Sequence, residues 1–325
     1  MNPPPSSLSR RNLLRFAAAA APVFPTSQSS ALTPVPRTGV ACFTPTLNAY
    51  SFLELLNANM VDPSQGVDLF GVCDFCALHD IVAVDLTGYF FPGYPKGPAD
   101  AYVNRIKRYA HDRGITISGT GVKNDFATAD AAVRAEGVAL TKVWIDVAAR
   151  LGAPVIRVFA GPQTKPASDW ETPARHAKRE EVEVWMADAL RECAEHGGKA
   201  GVIVAVQNHG DFIKTGPEHL SLLERVNHPW CGALVDTGKY LSEDPYADIA
   251  LMAPYAVNWQ VKETMGSSLK TPPTDFGKLC RIIKESGYRG FVPIETLSMG
   301  RKDYDPAAEV VVVLKAMREA IASAG

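Results

Sequence analysis

Gln207 and His209 close an unbroken apolar run, Val202-Ile203-Val204-Ala205-Val206. Such a run reads as a strand buried on both faces, and barrels of parallel strands carry their chemistry at the carboxyl ends. Residues two apart on a strand point the same way, so the amide and the imidazole share a direction. The same spacing joins Gln260 to Lys262 in "AVNWQVKE", while Asp236 ends the run in "GALVDTG" and Glu295 ends that in "FVPIETL". A carboxylate can move a proton or hold a cation. An amide can hold a cation or a hydroxyl, but it has no useful proton affinity near neutral pH, so Gln207 cannot serve as a base.

Positioning these groups requires a scaffold that brings many strand ends together. Eight short, β-branched runs supply it, beginning at Gly39, Ile81, Ile115, Pro154, Gly201, Gly232, Ala256 and Phe291. Helical stretches such as "AAVRAEGVALTKVWIDVAARLG" and "FGKLCRIIKESGYRG" lie between them, many closed by Gly, where a left-handed residue ends a helix. Eight strand-helix units predict an α/β fold, a single-domain (β/α)8 TIM barrel over residues 38–325. Its mouth then gathers Asp85 and Tyr89 from the second strand, Lys123 and Asn124 from the third, and Arg157 from the fourth. Gln207 and His209 follow from the fifth, Asp236 and Lys239 from the sixth, Gln260, Lys262 and Glu263 from the seventh, and Glu295 from the eighth. Asp85, Tyr89 and Phe90 read as one pocket wall suited to a sugar ring, with core packing of Phe90 as the other reading. Asn124 belongs with the substrate contacts. Arg157 is either a substrate contact or an ion-pair partner inside the barrel. Glu263 either orients Lys262 or faces solvent.

The first 37 residues pose a different problem. Arg10-Arg11 stands before Phe16 and the alanine run Ala17 to Ala21, the pattern of a twin-arginine export signal, and a Pro/Ser/Thr-rich linker follows from Pro25 to Pro36. The expectation is a periplasmic protein exported in the folded state. The net charge of -2 provides no basic field for nucleic acid, and no stretch is long and apolar enough to span a membrane. A small-molecule partner is the remaining expectation. The six cysteines are scattered, and Cys73-Asp74-Phe75-Cys76 falls in a helical stretch without a second ligand pair, so they read mainly as buried apolar residues.

The series QNHG, DTGK, QVKE and IETL at the last four strand ends resembles the xylose isomerase-like superfamily of sugar isomerases and epimerases. The resemblance covers the order and spacing of all eight units. It implies one divalent metal held by Gln207, Asp236, Gln260 and Glu295, positions where the family usually carries Glu, Asp, His and Glu. Lys239 stands where His or Asn is frequent. Oxygen donors of this kind suit Mn²⁺ or Mg²⁺, with Ca²⁺ admissible and Zn²⁺ less suited. The implied reaction is proton abstraction next to the carbonyl of a sugar or sugar-derived acid, with Glu295 moving the proton. His209, Lys239 and Lys262 would act as acids or as partners of an enolate oxygen. With only one carboxylate base, chemistry on one face of the sugar is expected: isomerisation or, as the alternative, a lyase reaction by β-elimination. A non-catalytic periplasmic sugar-binding protein is a further alternative, and His209 can also be read as satisfied by nearby backbone. An apurinic-endonuclease-like phosphodiesterase would share the fold, but the strand ends supply too few ligands for its three zinc ions.

Overall fold

The structure, a computed structural model, describes residues 32–161, 169–266 and 268–323. The expected export signal lies outside the described residues.

Eight strands follow the expected runs: β1 (Cys42–Asn48), β2 (Ala83–Asp85), β3 (Thr116–Gly121), β4 (Val155–Phe159), β5 (Ile203–Gln207), β6 (Cys231–Asp236), β7 (Ala256–Gln260) and β8 (Arg289–Ile294). Each pairs in parallel with its sequence neighbour from β1 to β7, and β8 lies beside β1. The remaining seam, between β7 and β8, is joined by a parallel bridge at Val261 and Ile294. There the Val261 N–H donates to Pro293 O at 2.8 Å and the Glu295 N–H to Val261 O at 2.9 Å. The eight-stranded TIM barrel expected from the sequence is therefore the observed fold.

Nine α-helices among the described residues surround the strands: α1 (Leu53–Val61), α2 (Leu69–Leu78), α3 (Asp100–His111), α4 (Ala131–Leu151), α5 (Arg179–Ala200), α6 (Gly216–Val226), α7 (Pro245–Met252), α8 (Phe276–Glu285) and α9 (Pro306–Ser323). Their ends follow local chemistry. Asp130 caps α4 by accepting from Ala132 N–H, and Gly152 ends it at φ 80°. Thr215 and Glu218 form a capping box at the start of α6. The helices bury one face on the strands, as α8 does with Leu279, Cys280 and Ile283. Cys73 and Cys76 are fully buried on α2, and burial pushes the Cys73 thiol up to about 12, so this CxxC is core.

Inside the barrel, Val155, Ala205 and Leu234 form an apolar plug from β4, β5 and β6. Side chains two residues further on keep the inward direction, and these are Arg157, Gln207 and Asp236. The expected linker also touches the barrel: Val35 N–H donates to Pro254 O at 3.0 Å, and Arg37 reaches the carbonyls of Ala253, Ser286 and Ala256.

Candidate active site

Five side chains at the carboxyl ends of β5 to β8 close into a ring. Gln207 Nε2 donates to Asp236 Oδ2 at 2.7 Å and lies 2.5 Å from Gln260 Oε1. Gln260 Nε2 donates to Glu295 Oε2 at 2.8 Å. Lys262 Nζ donates to Glu295 Oε1 and stands 3.7 Å from Asp236 Oδ2, completing the circuit. Every member is at most 5% exposed, so the charges and amides must satisfy one another. Neighbouring residues fix the ring in turn. Asn208 exchanges two bonds with the Asp236 backbone, at 2.8 and 2.9 Å, and Lys262 N–H donates to Thr237 Oγ1 at 3.0 Å. Burial pushes the Lys262 ammonium down to about 8, Lys239 adding to this effect and Asp236 opposing it, so it stays charged at neutral pH.

The ring opens into a cavity of about 330 Å³, the small end of the range for ligand sites. Arg157 and Tyr89 form one wall: the guanidinium donates to the Tyr89 hydroxyl and to Val122 O, and it lies 3.9 Å from the centroid of the Phe159 ring. Gly121 makes room for it, since a Cβ there would fall 2.9 Å from the guanidinium. Lys123 stands over Tyr89 at 4.6 Å, and Lys239 borders the cavity beside Gln207 and His209. His209 packs on Phe159 at 4.6 Å, with Nδ1 3.8 Å from Asp211 Oδ2. Burial, and then the charges of Lys239, Arg157 and Lys262, hold its imidazole well below the usual histidine range. A neutral imidazole still has one N–H to donate to a substrate oxygen.

Three expected substrate residues do not line this cavity. Asp85 turns into the barrel, where it accepts from Asn258 Nδ2 at 3.2 Å. The Asn124 amide is committed on both sides to the Phe159 backbone, donating at 2.8 Å and accepting at 2.9 Å, and so clamps the chain after β3 to β4. Glu263 accepts from Leu297 N–H at 2.8 Å, which shapes the loop after β8. Other lining residues are Tyr50, in the 3-10 turn after β1, Glu54 in the first turn of α1, and Thr296 to Gly300 in the loop after β8. Ser51 anchors that last loop, its hydroxyl donating to Ile294 O at 3.4 Å and accepting from Thr296 N–H at 3.1 Å. The only signal for Tyr50 and Glu54 in the sequence is that they directly follow the first strand, in "AYSFLE".

A family model described as "Xylose isomerase-like TIM barrel" matches residues 78–320. The chain belongs to this family. Solved structures with the xylose isomerase-like fold include D-psicose 3-epimerase from Clostridium cellulolyticum H10, 15% identical, TM-score 0.68, covering 86% of this chain and 99% of that one. The 3-keto-D-glucoside 4-epimerase YcjR from E. coli is 11% identical, TM-score 0.64, with 85% and 99% covered. The IOLI protein with a binding zinc atom is 14% identical, TM-score 0.64, with 86% and 98% covered. No curated protein matches the chain.

The expected metal ligands of this xylose isomerase-like barrel converge, yet as arranged they are not a set that fits a divalent ion. Both glutamines turn their NH₂ groups toward carboxylates, where a ligand would present its carbonyl. The Lys262 ammonium lies against Asp236 and Glu295. Two unit charges 4 Å apart interact by about 4 kcal/mol at an effective dielectric of 20, and a dication doubles that repulsion. The expectation of Mn²⁺ or Mg²⁺ at Gln207, Asp236, Gln260 and Glu295 did not include the placement of Lys262 among them.

Proposed function

We propose that this protein is a sugar isomerase or epimerase-type enzyme that moves a proton on the carbon next to a carbonyl. The observation that carries the reading is Glu295: a buried carboxylate at the floor of the cavity, with an ammonium donor, Lys262, on one of its oxygens. A carbon acid needs a base on its C–H and a positive partner for the oxygen that becomes negative, and these two groups lie side by side. Membership of the family supports this chemistry. Four cations border the cavity (Lys123, Arg157, Lys239 and Lys262) against two carboxylates (Glu54 and Glu295), a positive balance that suits a ketose carrying an acid group. The alternative outcome of the same proton abstraction, β-elimination, is favoured by Lys239, an ammonium at the cavity wall able to protonate a leaving group.

The test is hydrogen exchange in deuterated water, read by NMR over a panel of ketoses, 3-keto sugars and keto sugar acids. The wild-type protein should wash deuterium into one C–H position of one class, and a new alkene signal would mark elimination. Glu295→Gln should slow exchange by roughly 10²- to 10⁴-fold, the usual worth of a general base. Equal exchange by the variant, or none by the wild type over the whole panel, would overturn the reading.

A further inference from the structure

The disagreement between the family's metal and this chain's side chains has a specific form. Lys262 Nζ, 1% exposed, contacts Glu295 and lies 3.7 Å from Asp236, the two carboxylates that remain of the expected ligand set. Their other donors also come from the chain: Gln207 Nε2 on Asp236, Gln260 Nε2 on Glu295, and Gly238 N–H on Asp236 Oδ1 at 3.0 Å. One polar atom of the ring is left over. Gln207 Oε1 is buried and accepts no hydrogen bond from the protein, although an amide carbonyl so placed calls for a donor.

We propose that the Lys262 ammonium is a built-in replacement for the divalent ion, supplying the positive charge of this centre, and that Gln207 Oε1 accepts a hydroxyl of the bound sugar beside it. The replacement is a property of the resting protein. Only the use of the charge rests on the isomerase reading. In that use, Glu295 takes the proton from the carbon next to the carbonyl, the C–H pair becomes the new C=C bond, and the carbonyl π pair moves to oxygen. Lys262, which has three N–H donors, bonds to that oxygen. For isomerisation the oxygen then takes the proton of the neighbouring hydroxyl, and Glu295 returns its proton to the former carbonyl carbon. No other reactant is consumed. A substrate oxygen that draws a Lys262 N–H from Glu295 also frees the lone pair that takes the proton, so binding and base strength rise together.

Mn²⁺ alone, titrated onto the purified full chain and followed by the spin-resonance signal of free Mn²⁺, tests the replacement without a substrate. The wild type should leave the signal unchanged at equal millimolar concentrations. The variant Lys262→Met, and the triple variant that adds Gln207→Glu and Gln260→His, should each remove up to one ion per chain, the triple the more tightly. Melting curves establish that each variant is folded, and Mn²⁺ should raise the melting temperature of the variants only. Stoichiometric binding by the wild type that Asp236→Asn abolishes would overturn the proposal, as would folded variants that gain no Mn²⁺. Exchange by wild type that chelation stops and Mn²⁺ restores would overturn it too. Absence of exchange under every condition would count against the isomerase reading, while the Mn²⁺ titration still decides the replacement.

Discussion

Asp211 is fully buried, takes the Phe212 N–H at 2.6 Å on one oxygen and has no bonded partner on the other, which points at His209. Burial pushes its carboxyl up to about 7 from an ordinary 3.8, although several backbone N–H groups pull the other way. A carboxyl whose folded value is raised stabilises the fold fully below its unfolded pKa, and that contribution is lost as pH rises through the folded value. Wild-type stability should therefore fall between about pH 4 and pH 7 by roughly 1.4 kcal/mol for each unit of separation. Asp211→Asn removes the titration, so its melting temperature should change less between pH 5 and pH 8 than that of the wild type. Identical pH profiles would show that Asp211 is ionised throughout. Residues of this kind mark the limit of what strand ends disclose. Gln207, Asp236, Gln260, Lys262 and Glu295 were legible because a period of two fixes their direction at the end of an apolar run. Asp85, Asn124 and Glu263 stand at similar ends, but polarity alone does not distinguish a bond to ligand from one to Asn258, Phe159 or Leu297.

At the scale of elements, the central strands were legible because burial on both faces leaves a short apolar run bounded by turn residues, whereas the similar run Val310 to Leu314 lies inside α9. The cavity's loops carry no such period. Tyr50, Glu54 and the segment from Thr296 to Gly300 are placed only when the barrel closes and brings the start of α1 beside the loop after β8. Local chemistry does fix how the helices start. The capping box of α6 stands directly after the segment that holds His209 and Asp211: Thr215 Oγ1 accepts from Glu218 N–H at 3.3 Å, and Glu218 Oε2 accepts from Thr215 N–H at 3.0 Å. Thr215→Ala removes one half of that exchange and should cost about 1 kcal/mol, read as a lower denaturant midpoint with an unchanged slope. A cost near zero would mean that Glu218, which also takes the Lys214 N–H at 2.7 Å, holds the turn by itself.

In the whole barrel, closure at the seam between β7 and β8 links stability to the site. From β1 to β7, and from β8 to β1, the strands share ladders, while β7 and β8 are joined by the bridge beside Val261. That bridge sets the backbone of Glu295, whose N–H donates to Val261 O. At the opposite end of the same seam, Arg37 donates to Ala253 O at 3.1 Å and Ala256 O at 2.7 Å on the β7 side, and to Ser286 O at 3.0 Å on the β8 side. Its guanidinium also lies 5.1 Å from the centroid of the Tyr288 ring. One side chain thus ties the start of β7 to the end of α8, which leads into β8. Hydrogen bonds from a charged donor contribute about 1.5 to 3 kcal/mol each, and three from one half-exposed group will not add, so Arg37→Ala should cost roughly 2 to 3 kcal/mol. The cavity is at the far end of the strands, so the substitution should leave the rate of substrate exchange near its wild-type value. The amides of Val261 and Glu295 should lose protection against backbone hydrogen exchange more than those of Val206 or Leu234, which lie in continuous ladders. Uniform loss across all four would show instead that Arg37 stabilises the barrel as a whole, and that the seam opens no more readily than any other pair of strands.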